Sequence, residues 1–121
     1  MRLNPYFEAS DQTFNIYQGN CIDIMSYFQS NSIDMIFADP PYFLSNDGLT
    51  FKNGIIQSVN KDEWDTNDNE NSIYNFNHEW IAQSRRLLKD NGTIWISGTH
   101  HNIFTVGQLL KENNFKILNI I

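Results

Sequence analysis

Four consecutive residues, Asp39-Pro40-Pro41-Tyr42, put a carboxylate and an aromatic ring on a turn with little backbone freedom. Both prolines fix φ and neither can donate to a β ladder. Asp39 precedes a proline and is biased towards an extended backbone. The pair offers a charged acceptor and a flat ring at a fixed separation. The run Ile33–Ala38 in front of it is nearly all apolar, which predicts a strand covered on both faces in a parallel sheet. Ligands of open α/β sheets sit just beyond the carboxyl ends of strands. An ordinary proline turn is the alternative, but the position at a strand end makes this turn a candidate site.

The other residues with chemistry are fewer. Asn20 follows the strand-end glycine Gly19 and can cap the next helix. Cys21 is the single cysteine, which excludes an internal disulfide and fits a reducing compartment. His100 and His101 are adjacent in a strand-end loop. Neighbouring side chains are expected to point apart, and no Cys or acidic partner lies at ligand spacing, so no metal site is assigned.

These residues must be positioned by one small domain of 121 residues. Aromatics at 14% and hydrophobic residues at 40% argue for a folded chain. No signal peptide and no membrane-length apolar run is evident, so a cytoplasmic protein is expected. The net charge of −6 points away from a free-standing nucleic-acid binder, with Asp62, Glu63, Asp65, Asp68 and Glu70 crowded into one segment.

The order of elements is α/β. Met1 to Gln12 reads as an irregular leader, Phe14–Tyr17 as a strand, Cys21–Phe28 as a helix and Ile33–Ala38 as a strand, a βαβ pattern that favours a parallel sheet. Phe43 to about Tyr74 lacks periodicity and reads as a long active-site loop, either a lid or a disordered segment. Asn77 caps a helix whose apolar face is Trp80, Ile81, Ser84, Leu87 and Leu88. Lys89 sits in its last turn and Asn91-Gly92 ends it. Thr93–Ser97 is a strand. Asn102 opens a helix with Ile103, Val106, Gly107 and Leu110 on one face, Asn113-Asn114 breaks it, and Phe115–Ile121 is a final strand. An end inside that apolar run reads as truncation.

With Asp39-Pro40-Pro41-Tyr42, the segments IYQGNCIDIM, LLKDNGTIWISGTHHNIF and FKILNII resemble the S-adenosylmethionine-dependent amino-methyltransferases, specifically adenine-specific DNA methyltransferases of restriction-modification systems. The motif order resembles the permuted group in which the catalytic motif precedes the glycine-rich cofactor motif. The resemblance implies a partial Rossmann-like fold, a mostly parallel sheet with flanking helices. Residues 1–121 would be the N-terminal part of the catalytic domain. The F-x-G-x-G motif and the target-recognition region are absent, and the latter absence accounts for the acidic charge. It implies S-adenosylmethionine as methyl donor, no metal, double-stranded DNA as partner, and a complementing C-terminal half as a further partner. The Asp39 carboxylate and the Pro40 carbonyl would hold the adenine amine, Pro41 would fix the geometry, and Tyr42 would stack on a base rotated out of the duplex. Asn20, Cys21 and Asp39 would contact the cofactor, although Asn20 reads equally as a helix cap and Cys21 reads more readily as packing. Lys61, Trp64 and Asp65 resemble a segment of the family's active-site loop. Cytosine, guanine in RNA, a glutamine side chain, or an inactive or split half-enzyme are the alternatives.

Overall fold

The computed structural model describes residues 3–42, 49–52, 55–58 and 70–121. In chain order these form β1 (Phe7–Glu8), β2 (Asn15–Ile16), α1 (Cys21–Ser26), β3 (Ile33–Ala38), β4 (Leu49–Lys52), β5 (Ile55–Ser58), α2 (Glu70–Leu87), β6 (Leu88–Ile96) and α3 (Ile103–Glu112). The described strands pair in twos: β1 with β2 and β4 with β5 antiparallel, β3 with β6 parallel. The α/β class is as expected. The sheet is parallel only at β3–β6, short of a full Rossmann-like sheet.

The expected leader contributes a strand. Phe7–Glu8 pairs with β2 across a turn in which Asp11 Oδ1 accepts from the Thr13 amide (3.2 Å) and hydroxyl (2.7 Å). This local closure needs a short loop and little entropy, so β2 lies beside β1 and not beside β3. The parallel pair is instead β3 and β6, joined through α2. The stretch 43–74 is not wholly irregular either, since it contains β4, β5 and the first turn of α2.

The core is built where α2 and α3 cover one face of β3–β6. Ile81 and Leu109 are fully buried, with Trp80 and Val106 beside them and Ala38, Ile94 and Ile96 among the apolar neighbours. The predicted face of α2 is the buried one. Asn77, however, is not its cap. It lies inside the helix, fully buried, where its Oδ1 accepts from the Trp80 indole (2.9 Å) and its Nδ2 donates to the Ile73 carbonyl (3.0 Å). Burial is tolerable because both ends of the amide are bonded. On α3 the buried residues are Val106 and Leu109, while Ile103 is exposed.

Helix α2 passes into β6 without a loop, so Lys89, Asn91 and Gly92 belong to the strand and not to a helix end. Leu88 pairs with Ile33, and the next pair is Thr93 with Met35. The intervening residues bulge out. Gly92 is required there, since a Cβ would lie 2.9 Å from Leu88 Cδ2 and 3.2 Å from the Asp34 carbonyl oxygen. Lys89 bonds Asp34 Oδ1 at 2.7 Å, tying the two strands at an exposed position worth roughly 0–1 kcal/mol.

The other face of β3–β6 is open. Met35, Phe37 and Trp95 are 58%, 70% and 53% exposed, against the expectation of cover on both faces; among the described residues, helices meet only one face. Helix α3 ends as expected at Asn113-Asn114, with Asn114 at φ 61° and Phe115 N donating to the Leu110 carbonyl (2.9 Å), the left-handed cap that asparagine tolerates. Phe115–Ile121 does not form the predicted strand. No described strand lies beside it to complete a ladder, and a strand needs one.

One side chain fastens α1 to α2. The Arg86 guanidinium donates to the Met25 carbonyl (2.8 Å), the Phe28 carbonyl (2.9 Å) and Ser30 Oγ (3.2 Å), while Gln83 Oε1 holds its Nε (2.8 Å). The two carbonyls lie at and just beyond the C-terminal end of α1, where helix carbonyls lack partners. Arg86→Ala is expected to lower the unfolding free energy by about 1.5–3 kcal/mol, the range for hydrogen bonds to a charged group, as read from urea denaturation followed by circular dichroism.

Candidate active site

The end of β3 and the end of β6 lie side by side. Ala38 pairs with Ile96, and the Ser97 amide donates to the Ala38 carbonyl at 2.9 Å. Asp39 and Ser97 are therefore the first residues past the last pair. The two prolines stop β3 there, and Pro40 is buried, which anchors the turn.

The Asp39 carboxylate is exposed yet tightly held. Tyr42 Oη donates to its Oδ1 at 2.7 Å, and Ser97 Oγ donates to the same oxygen. Each hydroxyl carries one proton, so the longer Tyr42–Ser97 (3.2 Å) and Ser97–Ala38 carbonyl (3.4 Å) separations are contacts that close the cluster. Among the described residues, nothing donates to Oδ2. Bonds from Ser97 and then Tyr42 hold the Asp39 pKa below its ordinary value, since both stabilise the ionised form. With the folded pKa depressed, this stabilisation is complete above the unfolded-state pKa and is lost as pH falls through the folded one. At neutral pH Asp39 is a carboxylate with one oxygen occupied and one open.

A cavity of about 410 Å³ lies behind the turn between α1, α2 and β3. Cys21, Met25, Phe28, Trp80, Asp39 and Pro40 are among its lining. Its size and largely apolar walls with a polar group at the rim are those of small-molecule sites. Of the sequence candidates, Cys21, Asp39, Pro40 and Pro41 share this cavity. Tyr42 joins through its bond to Asp39. Asn20 is the cap of α1, its Oδ1 accepting from the Ile22 amide (2.9 Å), and it does not line the cavity. Desolvation raises the Cys21 pKa, so its thiol is protonated at neutral pH.

His100 and His101 do not point apart as expected; their ring centres are 3.9 Å from each other. No group of three metal-ligating side chains occurs among the described residues. Lys61, Trp64 and Asp65 lie outside the described residues. Ser97 was not among the sequence candidates. Serine at a strand end carries no local signal, and its partner is 58 residues away.

A family model described as DNA methylase matches residues 33–121, from the first residue of β3 onwards. The chain belongs to the DNA methylase family. Three relatives agree with that placement. The chain is 87% identical over 121 residues to the type II methyltransferase M2.MboI of Moraxella bovis. It is 44% identical to M2.LlaDCHI of Lactococcus lactis subsp. cremoris and 42% identical to M2.DpnII of Streptococcus pneumoniae. Each match covers all of this chain and 44% of the relative. This DNA methylase chain thus spans less than half the length of the curated relatives it matches, and the Asp39–Tyr42 turn lies within the shared part.

Proposed function

We propose that the chain is the N-terminal portion of the catalytic domain of a site-specific DNA methyltransferase. It transfers a methyl group from S-adenosylmethionine to the exocyclic amino group of adenine in duplex DNA. The observation that supports this reading best is the Asp39 carboxylate, held at the end of β3 with Oδ1 occupied and Oδ2 open, in a chain of the DNA methylase family. The adenine amine is a poor nucleophile because its lone pair is delocalised into the ring. Acceptance of its two hydrogens by Asp39 Oδ2 and the Pro40 carbonyl localises that lone pair towards the donor. This gain is orientation and electrostatic preorganisation. Pro41 keeps the turn rigid, and the Tyr42 ring stacks on the base once it leaves the duplex.

The cavity fits the adenosyl part of the methyl donor, since its walls are apolar and Asp39 stands at its rim. Cys21 and Asp39 hold it there, with Asn20 at the adjoining helix start. The bound donor supplies an electrophilic methyl group. The glycine-rich cofactor motif, the target-recognition region and the completion of a Rossmann-like sheet belong to the remainder that the relatives have. The open apolar face of Met35, Phe37 and Trp95 favours such a complementing C-terminal half, continuous or supplied as a second chain, because parallel sheets are covered on both faces. The reading places the protein in the cytoplasm.

The test is transfer of tritiated methyl groups to duplex DNA by the chain with and without the relatives' C-terminal region. Nucleoside analysis of the product follows. Label in N6-methyladenine with both parts present, and no calorimetric S-adenosylmethionine binding by residues 1–121 alone, are expected. Label in cytosine, in guanine of RNA or in glutamine would replace the substrate assigned here. Absence of label from every acceptor points to an inactive half-enzyme.

A further inference from the structure

The site holds a residue with no assigned part in it. Ser97 lies one position past β6, where its amide is pinned to the Ala38 carbonyl by the last hydrogen bond between the strands (2.9 Å). Its Cα is therefore fixed by the sheet, and one rotatable bond sets the hydroxyl. Asp39, by contrast, is exposed and has two side-chain torsions to order. An exposed acidic side chain ordinarily samples several rotamers, and fixing one costs conformational entropy. Here the hydroxyls of Ser97 and Tyr42 both take Oδ1.

We infer that Ser97 is a positioning residue for methyl transfer: by occupying Oδ1 of Asp39 it orients Oδ2 towards the target amine. Tyr42 cannot do this alone, because its ring must also receive the base and adjust to it. Ser97 is anchored to the sheet and stays when the base arrives. The lowered pKa of Asp39, to which Ser97 contributes most, agrees with a donor aimed at the ionised carboxylate. Supporting groups that fix a reacting side chain determine how well it is preorganised. This inference rests on the assignment of Asp39 as the amine acceptor.

The experiment compares Ser97→Ala, Ser97→Thr and Asp39→Ala in the form of the protein that transfers methyl groups. Ser97→Ala is expected to lower kcat roughly 10-fold, the scale of an outer partner of a reacting group, with the Kd values for DNA and S-adenosylmethionine unchanged. Ser97→Thr retains the hydroxyl and is expected to restore most of the rate. The Asp39 carboxyl, followed by carbon-13 NMR, should titrate at higher pH in Ser97→Ala than in the parent. An unchanged kcat and titration in Ser97→Ala would overturn the inference. So would equal losses in the alanine and threonine variants, which would indicate packing alone. Full activity of Asp39→Ala would instead overturn the assignment of Asp39 on which it rests.

Discussion

Asp39→Ala is expected to lower the methyl-transfer rate by about 10²- to 10³-fold, the cost of removing one preorganised group from a site of developing charge. DNA affinity should stay within a few-fold, because in the proposed role the carboxylate acts on the amine and contributes little to holding the duplex. The informative partner is Asp39→Asn. An amide of nearly the same shape keeps one carbonyl oxygen, and on shape alone a partial rescue would follow. The site geometry argues otherwise. Two hydroxyl donors converge on Oδ1, so they select the amide oxygen and leave the NH2 group where Oδ2 stood. The target amine then meets a donor in place of an acceptor. The asparagine variant should lose as much activity as alanine. Single-turnover transfer of tritiated methyl checks this, and an asparagine variant within 10-fold of the parent would contradict the orientation described for Asp39.

The largest expected effect on stability is at Ile81. Its side chain is fully buried between α2, α3 and the covered face of β3–β6, in one cluster with Trp80, Val106 and Leu109. Truncation to alanine removes buried methylene and methyl groups and leaves a cavity that fixed neighbours cannot fill. Such changes cost about 2–5 kcal/mol, against roughly 5–15 kcal/mol for a whole domain. Urea denaturation of Ile81→Ala should show a midpoint far below that of the parent. Phe104→Ala is the control: that ring is 83% exposed, and its loss should change stability by no more than about 0.5 kcal/mol.

The sequence discloses some parts of this structure well. The apolar spacing of Trp80, Ile81, Ser84 and Leu87 gives the buried face of α2, and the two prolines give the end of β3. Other parts escape because the deciding partner is distant. Asn77 looks like a cap until the Trp80 indole satisfies it inside the helix. Asn91-Gly92 looks like a helix stop. The chain has already become strand at Leu88, with no glycine or proline to mark the change. Arg86 looks like a surface cation, and only the fold brings two carbonyls from around the end of α1 to it. The Asp39–Tyr42 turn is legible because its residues are contiguous. Ser97 is not, because its role exists only across two strands.

The bulge between α2 and the straight part of β6 also bears on the site. From Ile33 to Met35 the chain advances two residues on β3 and five on β6. Had the pairing continued evenly from Ile33 and Leu88, the residue beside Asp39 would be Ile94, and an apolar side chain would face the carboxylate. The surplus residues of a surface turn, roughly 17 Å away along the strand, thus decide that a hydroxyl stands there. Because one residue of slip turns every side chain to the opposite face, the number of residues in 89–92 acts on the active site as an adjustable offset. Insertions or deletions at this exposed corner are therefore expected to change which side chain stands beside Asp39.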